Sequence, residues 1–307
     1  MAQLLVVFGA TGQQGGSVIN HILSDPALSS KYSIRGVTRD ASKPAAQELK
    51  TKGLDIVSGD LDDPASIHAA LQGAHTVFAM TRTIYDEQAK TREERQGKTI
   101  ADAAVATGAR YLIWSSATHA GNTSGGKYPV PAYDVRWDVE QYIRGLHIQS
   151  AFVVPATFMQ NLRGIMAPRP REDGTYAIAN IHSPQARFPW LDVVADFGKF
   201  VGATLKQPEK YEGKVLVASS CIYSLDEVAL ILSKASGKTV KYVMMPESKF
   251  RSFCPPAGAE GIVNMFLFIQ DYGYYGVETE EVVEWSIRQA KGRFVTIEEF
   301  ARTLQLA

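Results

Sequence analysis

The sequence predicts an α/β fold: a doubly wound (Rossmann) parallel sheet joined to a smaller mixed α/β C-terminal domain. Three observations point there. Leu4 to Phe8 is an uninterrupted apolar run, the pattern of a strand buried on both faces. That run enters Gly9, Gly12 and Gly15, after which Val18, Ile19, Ile22 and Leu23 recur at helical intervals. Strand-like and helix-like segments then alternate through the first half of the chain, as βαβ units do.

In order, strands are expected at Tyr32 to Thr38, Leu54 to Ser58, His75 to Met80, Arg110 to Ser115 and Gln149 to Val154. Helices are expected at Pro44 to Lys52, Pro64 to Leu71, Glu87 to Thr107 and Asp134 to Arg144. Pro64 suits a first helical turn, where a missing N–H costs nothing. The six strands imply the order 3-2-1-4-5-6. Residues 1–155 are thus assigned to the dinucleotide-binding domain, and 156–307 to a smaller substrate or partner domain that can share strands with the sheet.

Past Pro155 the rhythm loosens. Met166 to Asp173 reads as a proline-bearing loop, and short strands at Thr175 to Ala179 and Lys214 to Ala218 flank a helix from Asp192 to Leu205. Ser224 to Ser236 is a helix, with Ser224 and Glu227 spaced as a capping box; this explains Asp226 and Glu227 better than acid–base work does. Thr239 to Met244 is a strand, and the remainder is mostly helical. The stretch Met244 to Pro256 is expected to be a buried helix rather than a mobile contact surface. Asp271 to Gly276, DYGYYG, suits a turn with core aromatics as well as it suits a pocket lining.

With 32 basic and 32 acidic residues the net charge is zero, so neither nucleic acid nor an anionic membrane is a default partner. The two cysteines, Cys221 and Cys254, have no metal-type spacing, and no metal is expected. No apolar run reaches membrane-spanning length, which makes a cytoplasmic, or cytoplasmic and nuclear, protein the plain expectation.

A strand, a glycine turn and a helix together make a nucleotide-binding hypothesis. The glycines allow a tight turn and close approach of backbone N–H groups to a pyrophosphate, and the helix start presents a positive dipole end. The spacing is GxxGxxG, and its alternative is a ligand-free turn. At the end of the second strand, where an acid would select NAD, the sequence reads Thr38-Arg39, with Lys43 four residues on. A guanidinium suits a 2′-phosphate, so NADP(H) is expected over NAD(H); solvated surface cations are the alternative. Asp40 complicates this but follows Arg39. Asp60, after the third strand, is a candidate for the adenine amino group, with helix capping as its other explanation.

Together VFGATGQQGGSV, VTRDASKPAAQEL, GDLDD, RQGK, AYDVRWDVEQYI and VVPATFMQNL, spread over residues 4 to 162, resemble the NmrA-like family of the atypical short-chain dehydrogenase/reductase superfamily. The resemblance implies phosphates against Gly9, Thr11, Gly12, Gln13, Gln14 and Gly15, and a 2′-phosphate facing Arg39 and Lys43. It implies adenine beside Asp60 and Leu61, and cofactor contacts from Thr81 and Arg82. Arg95 or Lys98 would reach the sugars, and Pro155, Thr157 and Phe158 would pack at the nicotinamide end. Members of the family include NADP-sensing regulators that bind partner proteins, among them repressors of GATA-type transcription factors, and related reductases.

Short-chain reductases use a tyrosine as proton donor with a lysine four residues later. Here Ala132 and Arg136 stand at those positions, and YxxxK occurs nowhere. Arginine can bind a ribose but cannot release a proton, and alanine has none to give. Tyr133, Tyr128 and His119 are replacement candidates for the acid, each with packing or exposure as its plainer explanation. Ser115 and Ser116 sit where a carbonyl-orienting serine would. The expectation is therefore an NADP(H)-binding regulator that senses the cofactor and signals to a protein partner, possible transcription factors included. The alternative is an NADPH-dependent reductase of a small carbonyl, enone or imine with an unconventional donor. A homodimer is compatible with either.

Overall fold

The computed structural model describes residues 2–306. Its main layer is a seven-stranded, all-parallel sheet made of β1 (Gln3–Phe8), β2 (Tyr32–Thr38), β3 (Asp55–Ser58), β4 (Thr76–Ala79), β5 (Tyr111–Ser115), β6 (Gln149–Pro155) and β7 (Val215–Ala218). The spatial order is β7-β6-β5-β4-β1-β2-β3. The expected six-strand order is present, extended by a seventh strand at the β6 edge. That strand is the stretch assigned by sequence to the smaller domain.

The apolar run of β1 alternates between two cores. Leu5 and Val7 face one side, with Val18, Ile19 and Ile22 of α1 (Gln13–Ser24). Val6 and Phe8 face the other, with Ile67 of α3 (Pro64–Ala70) and Ile100 of α4 (Ala89–Ala106). Each of these side chains is buried, so the run stabilises both layers at once. Helix α2 is Pro44–Thr51, and α5 is Pro131–Arg144. The start of α5 lies three residues before the sequence expectation, because Pro131 takes the first-turn position that Pro64 takes in α3.

Helix α6 (Val193–Lys206) also belongs to the main layer, packed along α1. Two glycines permit the approach. A Cβ on Gly198 would lie 2.3 Å from the Ser17 carbonyl oxygen, and one on Gly202 2.3 Å from His21 Nε2. The Ser17 hydroxyl accepts from the Gly198 amide at 2.9 Å. Residues 193–218 therefore complete the sheet layer, although they follow position 155.

The rest of the second half forms a smaller unit with its own core, which includes Phe188, Trp190, Leu225, Val228, Phe266 and Phe268. Two three-stranded sheets contribute to it, with strands at Arg187–Leu191 and Cys221–Ser224 that the sequence reading missed. Helix α7 (Leu225–Ser236) opens with the expected capping box. The stretch from Met244 departs from expectation: it holds a five-residue helix, Glu247–Arg251, with no buried residue, and Met244 and Phe253 are exposed. Helices α8 (Ala259–Tyr272) and α9 (Thr279–Gln289) follow. Among the described residues no helix is long and apolar enough to cross a membrane.

His182 is fully buried in this unit, stacked on Tyr242 and beside Phe188 and Phe266. Its Nε2 has no partner among the described residues, and burial pushes its pKa down from 6.5 to about 4. The unfolded chain then binds the proton more readily between those values, so stability is present above 6.5 and is lost as pH falls toward 4. Between pH 7 and 5 this one group should remove about 2 kcal/mol. Urea titrations of wild type and His182→Phe at both pH values check this; an equal pH slope in the two proteins contradicts it.

Candidate functional site

The glycine turn closes β1 onto α1. Gly9 takes φ +66°, a left-handed conformation that favours glycine, and its carbonyl accepts from the Gly12 amide at 2.8 Å. Gly15 packs directly over that turn. Gly12 caps α1 with no side chain, leaving first-turn N–H groups open to an anion. Thr11, Gly12 and Gln13 are exposed. Gln14 is not: its side chain is buried and accepts from the Ser115 hydroxyl at 2.7 Å, which ties the turn to the end of β5.

At the adjacent strand end, Thr38 faces Thr11, hydroxyl to hydroxyl, at 3.4 Å. Arg39 and Lys43 follow, both exposed and neither in an ion pair among the described residues. Asp40 accepts from the Ser42 hydroxyl (2.6 Å) and amide (2.9 Å); these bonds, with a smaller contribution from the Lys43 charge, hold its carboxyl below the usual range. Two exposed cations without an ion pair among the described residues, beside an open glycine turn, fit a 2′-phosphate. Asp60 is exposed, with one oxygen accepting from the Asp62 amide at 3.0 Å, and Leu61 packs under it on the core. Capping of α3 falls to Asp63. The two cations expected on α4 each have an acidic partner within the chain. Arg95 pairs with Asp62 at 2.7 Å, while Lys98 is drawn along the helix by Glu94 (2.7 Å) and lies over the Tyr142 ring.

At the end of β4 a cluster forms that the sequence reading missed. Glu93, 2% exposed, accepts from Thr81 Oγ1 (2.7 Å), Thr83 Oγ1 (2.7 Å) and Arg136 Nε (2.8 Å). Arg136 Nη2 also donates to Thr83 at 3.0 Å, and the Arg136 carbonyl accepts from the Trp114 indole at 2.9 Å. The carboxylate thus fixes both the strand-end threonine and the arginine that replaces the reductase lysine. The available signal was register: Glu93 continues the buried stripe of Gly97, Ile100 and Ala104 on α4. Arg82, next along, is exposed and forms no ion pair among the described residues.

The proposed acids are otherwise engaged. His119 does not fold inward. It caps the short helix Ala120–Thr123, with Nδ1 accepting from the Asn122 amide at 3.0 Å, and it packs edge-on to Trp137, near Asp134 and Asp138. Its side chain lines a groove that includes Val215, Val217 and Trp285, on the β7 side of the sheet. Tyr128 donates to Asp271 at 2.7 Å, beside the Lys127–Asp271 pair. Tyr133 donates to the Tyr274 hydroxyl at 3.2 Å, and burial raises its pKa well above 10. The DYGYYG turn therefore clamps the 119–131 segment. Ser116 donates to the buried Glu140 at 2.5 Å. At the end of β6, Pro155 leaves the main sheet and Thr157–Phe158 immediately pair with Trp190 and Leu191, so this turn couples the two units.

Beside the Glu93 cluster lies a pocket of about 240 Å³ between the 83–87 loop, the start of α5 and helix α8. Val130, Ala132, Val135, Ile262 and Met265 give it an apolar lining, and Thr83, Asp86, Glu87, Lys90 and Glu93 form its polar side. Ala132, at the position of the missing tyrosine, opens into this space.

The family description "NmrA-like family" matches residues 1–301. The chain belongs to the NmrA-like family. A curated relative, the NmrA-like family domain-containing oxidoreductase FrzB of a Cladobotryum species, is 29% identical over 301 residues, covering 92% of this chain and 88% of that protein. The oxidoreductase ptmS of Penicillium ochrochloron is 28% identical, with 89% and 85% covered. Among solved structures, NmrA, described as a negative transcriptional regulator, matches with a TM-score of 0.83 at 22% identity, covering 99% of this chain and 96% of that one. NmrA in complex with NADP gives 0.80 at 24% identity, covering 99% and 95%. Triphenylmethane reductase of Citrobacter sp., complexed with NADP(H), gives 0.75 at 21% identity, covering 97% and 98%. These structural likenesses establish the fold that this NmrA-like chain shares with a regulator and with a reductase.

Proposed function

We propose that this NmrA-like protein is an NADPH-dependent reductase of a small, largely apolar acceptor. The observation that carries it is the apolar pocket opening at Ala132 beside the Thr81–Glu93–Arg136 cluster, at the carboxyl end of the strands where ligands of such sheets bind. The names of the curated relatives support oxidoreductase chemistry. The glycine turn from Gly9 to Gly15 would hold the pyrophosphate, Arg39 and Lys43 the 2′-phosphate, and Asp60 and Leu61 the adenine. Thr81, Arg136, Pro155, Thr157 and Phe158 would border the other end. NADPH, when bound, supplies a hydride. The chain's own contribution is a preorganised, partly dry cleft, with Arg136 held by Glu93 as a fixed positive group.

The test is steady NADPH oxidation with small neutral carbonyl compounds. Turnover at about 1 s⁻¹ or faster is expected with a matched acceptor; stoichiometric binding without turnover across the class contradicts the reading. For the cofactor, Arg39→Ala should weaken NADPH by about 10- to 100-fold, from loss of charge-assisted hydrogen bonds, and leave NADH within about twofold. Equal losses for both, measured by calorimetric titration, would sink the assignment.

A second reading is favoured by one observation: every acid expected from the sequence is engaged elsewhere, and Arg136 is locked by Glu93. On that reading the protein senses the NADP(H) redox state and passes it to a protein partner, a transcription factor among the candidates, in cytoplasm or nucleus. A ligand can do this only by binding one conformation better than the other. A partner captured with NADP⁺ but not with NADPH, together with absent turnover, would support it.

A further inference from the structure

Tyr85 is the residue that the site description leaves unexplained. It sits in the 83–87 loop, lines the pocket together with Ala132, and its hydroxyl makes no hydrogen bond among the described residues. Its ring rests on the far wall of the pocket. A Cβ on Gly258 would lie 2.4 Å from Tyr85 Cδ1, yet Gly258 has φ −109°, a conformation open to any residue. Glycine at 258 therefore serves the ring and not the backbone. Gly261 acts alike, since a Cβ there would come 3.1 Å from Pro131 Cδ. The two small positions let the loop and the start of α5 close against α8, and they seat an aromatic ring over the cavity.

The polar groups around the cavity are nearly all committed. Glu93 accepts three hydrogen bonds, Asp86 holds Arg92 at 2.9 Å and accepts from the Gln88 amide, and Lys90 faces Asp138. Glu87 adds a further negative charge, so an anionic ligand meets a wall with more acids than bases. The uncommitted hydroxyl is that of Tyr85; burial raises its pKa and the Arg136 charge offsets this only in part, so the group stays protonated and able to donate. Tyr85 is 43% exposed, so its hydroxyl is not a stranded buried donor; it is a free donor at the pocket mouth that can serve an acceptor atom on whatever enters.

We propose that this pocket binds a flat, neutral ring compound bearing a carbonyl, with the Tyr85 hydroxyl donating to the carbonyl oxygen and the ring lying on Ala132 and Val135. A volume of about 240 Å³ suits one or two fused rings, below the usual range for a drug-sized ligand. The proposal rests on the reading that this pocket takes the acceptor. It is tested without cofactor, so its outcome is independent of NADP(H) binding.

The experiment is titration of the intact protein with 2-acetylnaphthalene and with 2-naphthoate, followed by ligand-observed NMR. The ketone should bind, and the carboxylate should bind at least about tenfold more weakly. Tyr85→Phe should weaken the ketone by about fivefold to tenfold while changing naphthoate little, as loss of one neutral hydrogen bond predicts. Ala132→Phe should abolish ketone binding by filling the cavity, with its circular dichroism spectrum reporting retained structure. Gly258→Ala, which displaces the Tyr85 ring, provides an independent variant and should reproduce the Tyr85→Phe loss. Failure of the ketone to bind, equal binding of both probes, or an unchanged ketone affinity in Tyr85→Phe overturns the proposal.

Discussion

Gly15→Ala should destabilise the protein by about 3 kcal/mol and weaken NADPH binding at least tenfold, the result of forcing a methyl group into a backbone turn. The added Cβ would stand 2.3 Å from the Gly9 carbonyl oxygen, 2.6 Å from its carbon and 2.7 Å from the Phe8 carbonyl oxygen. All three are main-chain atoms, so no flexible side chain can swing aside, and relief requires moving the turn that the phosphates would use. Gly16 supplies the control. Its Cβ would meet the Ala10 carbonyl oxygen at 3.6 Å, an ordinary contact, and alanine is the better helix former. Gly16→Ala should therefore stay within about 1 kcal/mol of wild type or be more stable. Urea unfolding of both variants separates the two; similar midpoints would mean that the close packing of α1 on the turn is not what holds it.

Glu93→Ala should cost about 3 kcal/mol, because it leaves Arg136 mostly buried without its counter-charge and two threonine hydroxyls without an acceptor. The Arg136 side chain is 20% exposed, which admits some water and keeps the cost at the lower end for a broken buried pair. Glu93→Gln retains the shape and one acceptor and should cost about half as much. In the double variant with Arg136→Ala the losses should fall well short of additive, since removing both partners leaves no stranded charge. Additive losses would show that the two side chains act independently.

Much of the sheet was legible because its strands carry local marks. The run from Leu4 to Phe8 is apolar throughout since both faces are covered, and the glycines follow from the close approach of α1. Arg39 was readable for a similar reason: its position at a strand end is fixed by the βαβ repeat. What escaped depends on contacts far away in the chain. Nothing within Val215–Ala218 says which sheet it joins; the answer lies in its register with Phe152 to Pro155. Glu93 looked like one charge among many on a polar helix, and only the return of α5 buries it. His119 sits next to the right strand, but Asn122 and Trp137 turn its ring toward the β7 edge. Tyr85 lies in a loop, where sequence periodicity carries no direction; its partner glycine is 173 positions away, the separation of residues 85 and 258.

The smaller unit was less legible for the same reason. Its strands are short, down to the two-residue Thr157–Phe158, and such lengths leave no period to detect. The stretch from Met244 departs from expectation because apolar residues there do not require burial: Met244 is exposed at the end of the strand Val240–Met244, and Phe253 is exposed just past a short helix. The missing Tyr–Lys pair, by contrast, was visible at once, and the structure accounts for part of its replacement: Arg136 is retained as a fixed cation, and the space of the absent ring is open.

The central claim is that the glycine turn, Arg39 and Lys43 form an NADP(H) site. Calorimetric titration of the wild-type protein with NADPH and NADH under identical conditions tests it most directly. Two exposed cations placed to meet a 2′-phosphate predict that NADPH binds at least about tenfold more tightly. Equal affinities, tighter binding of NADH, or binding of neither nucleotide would contradict it.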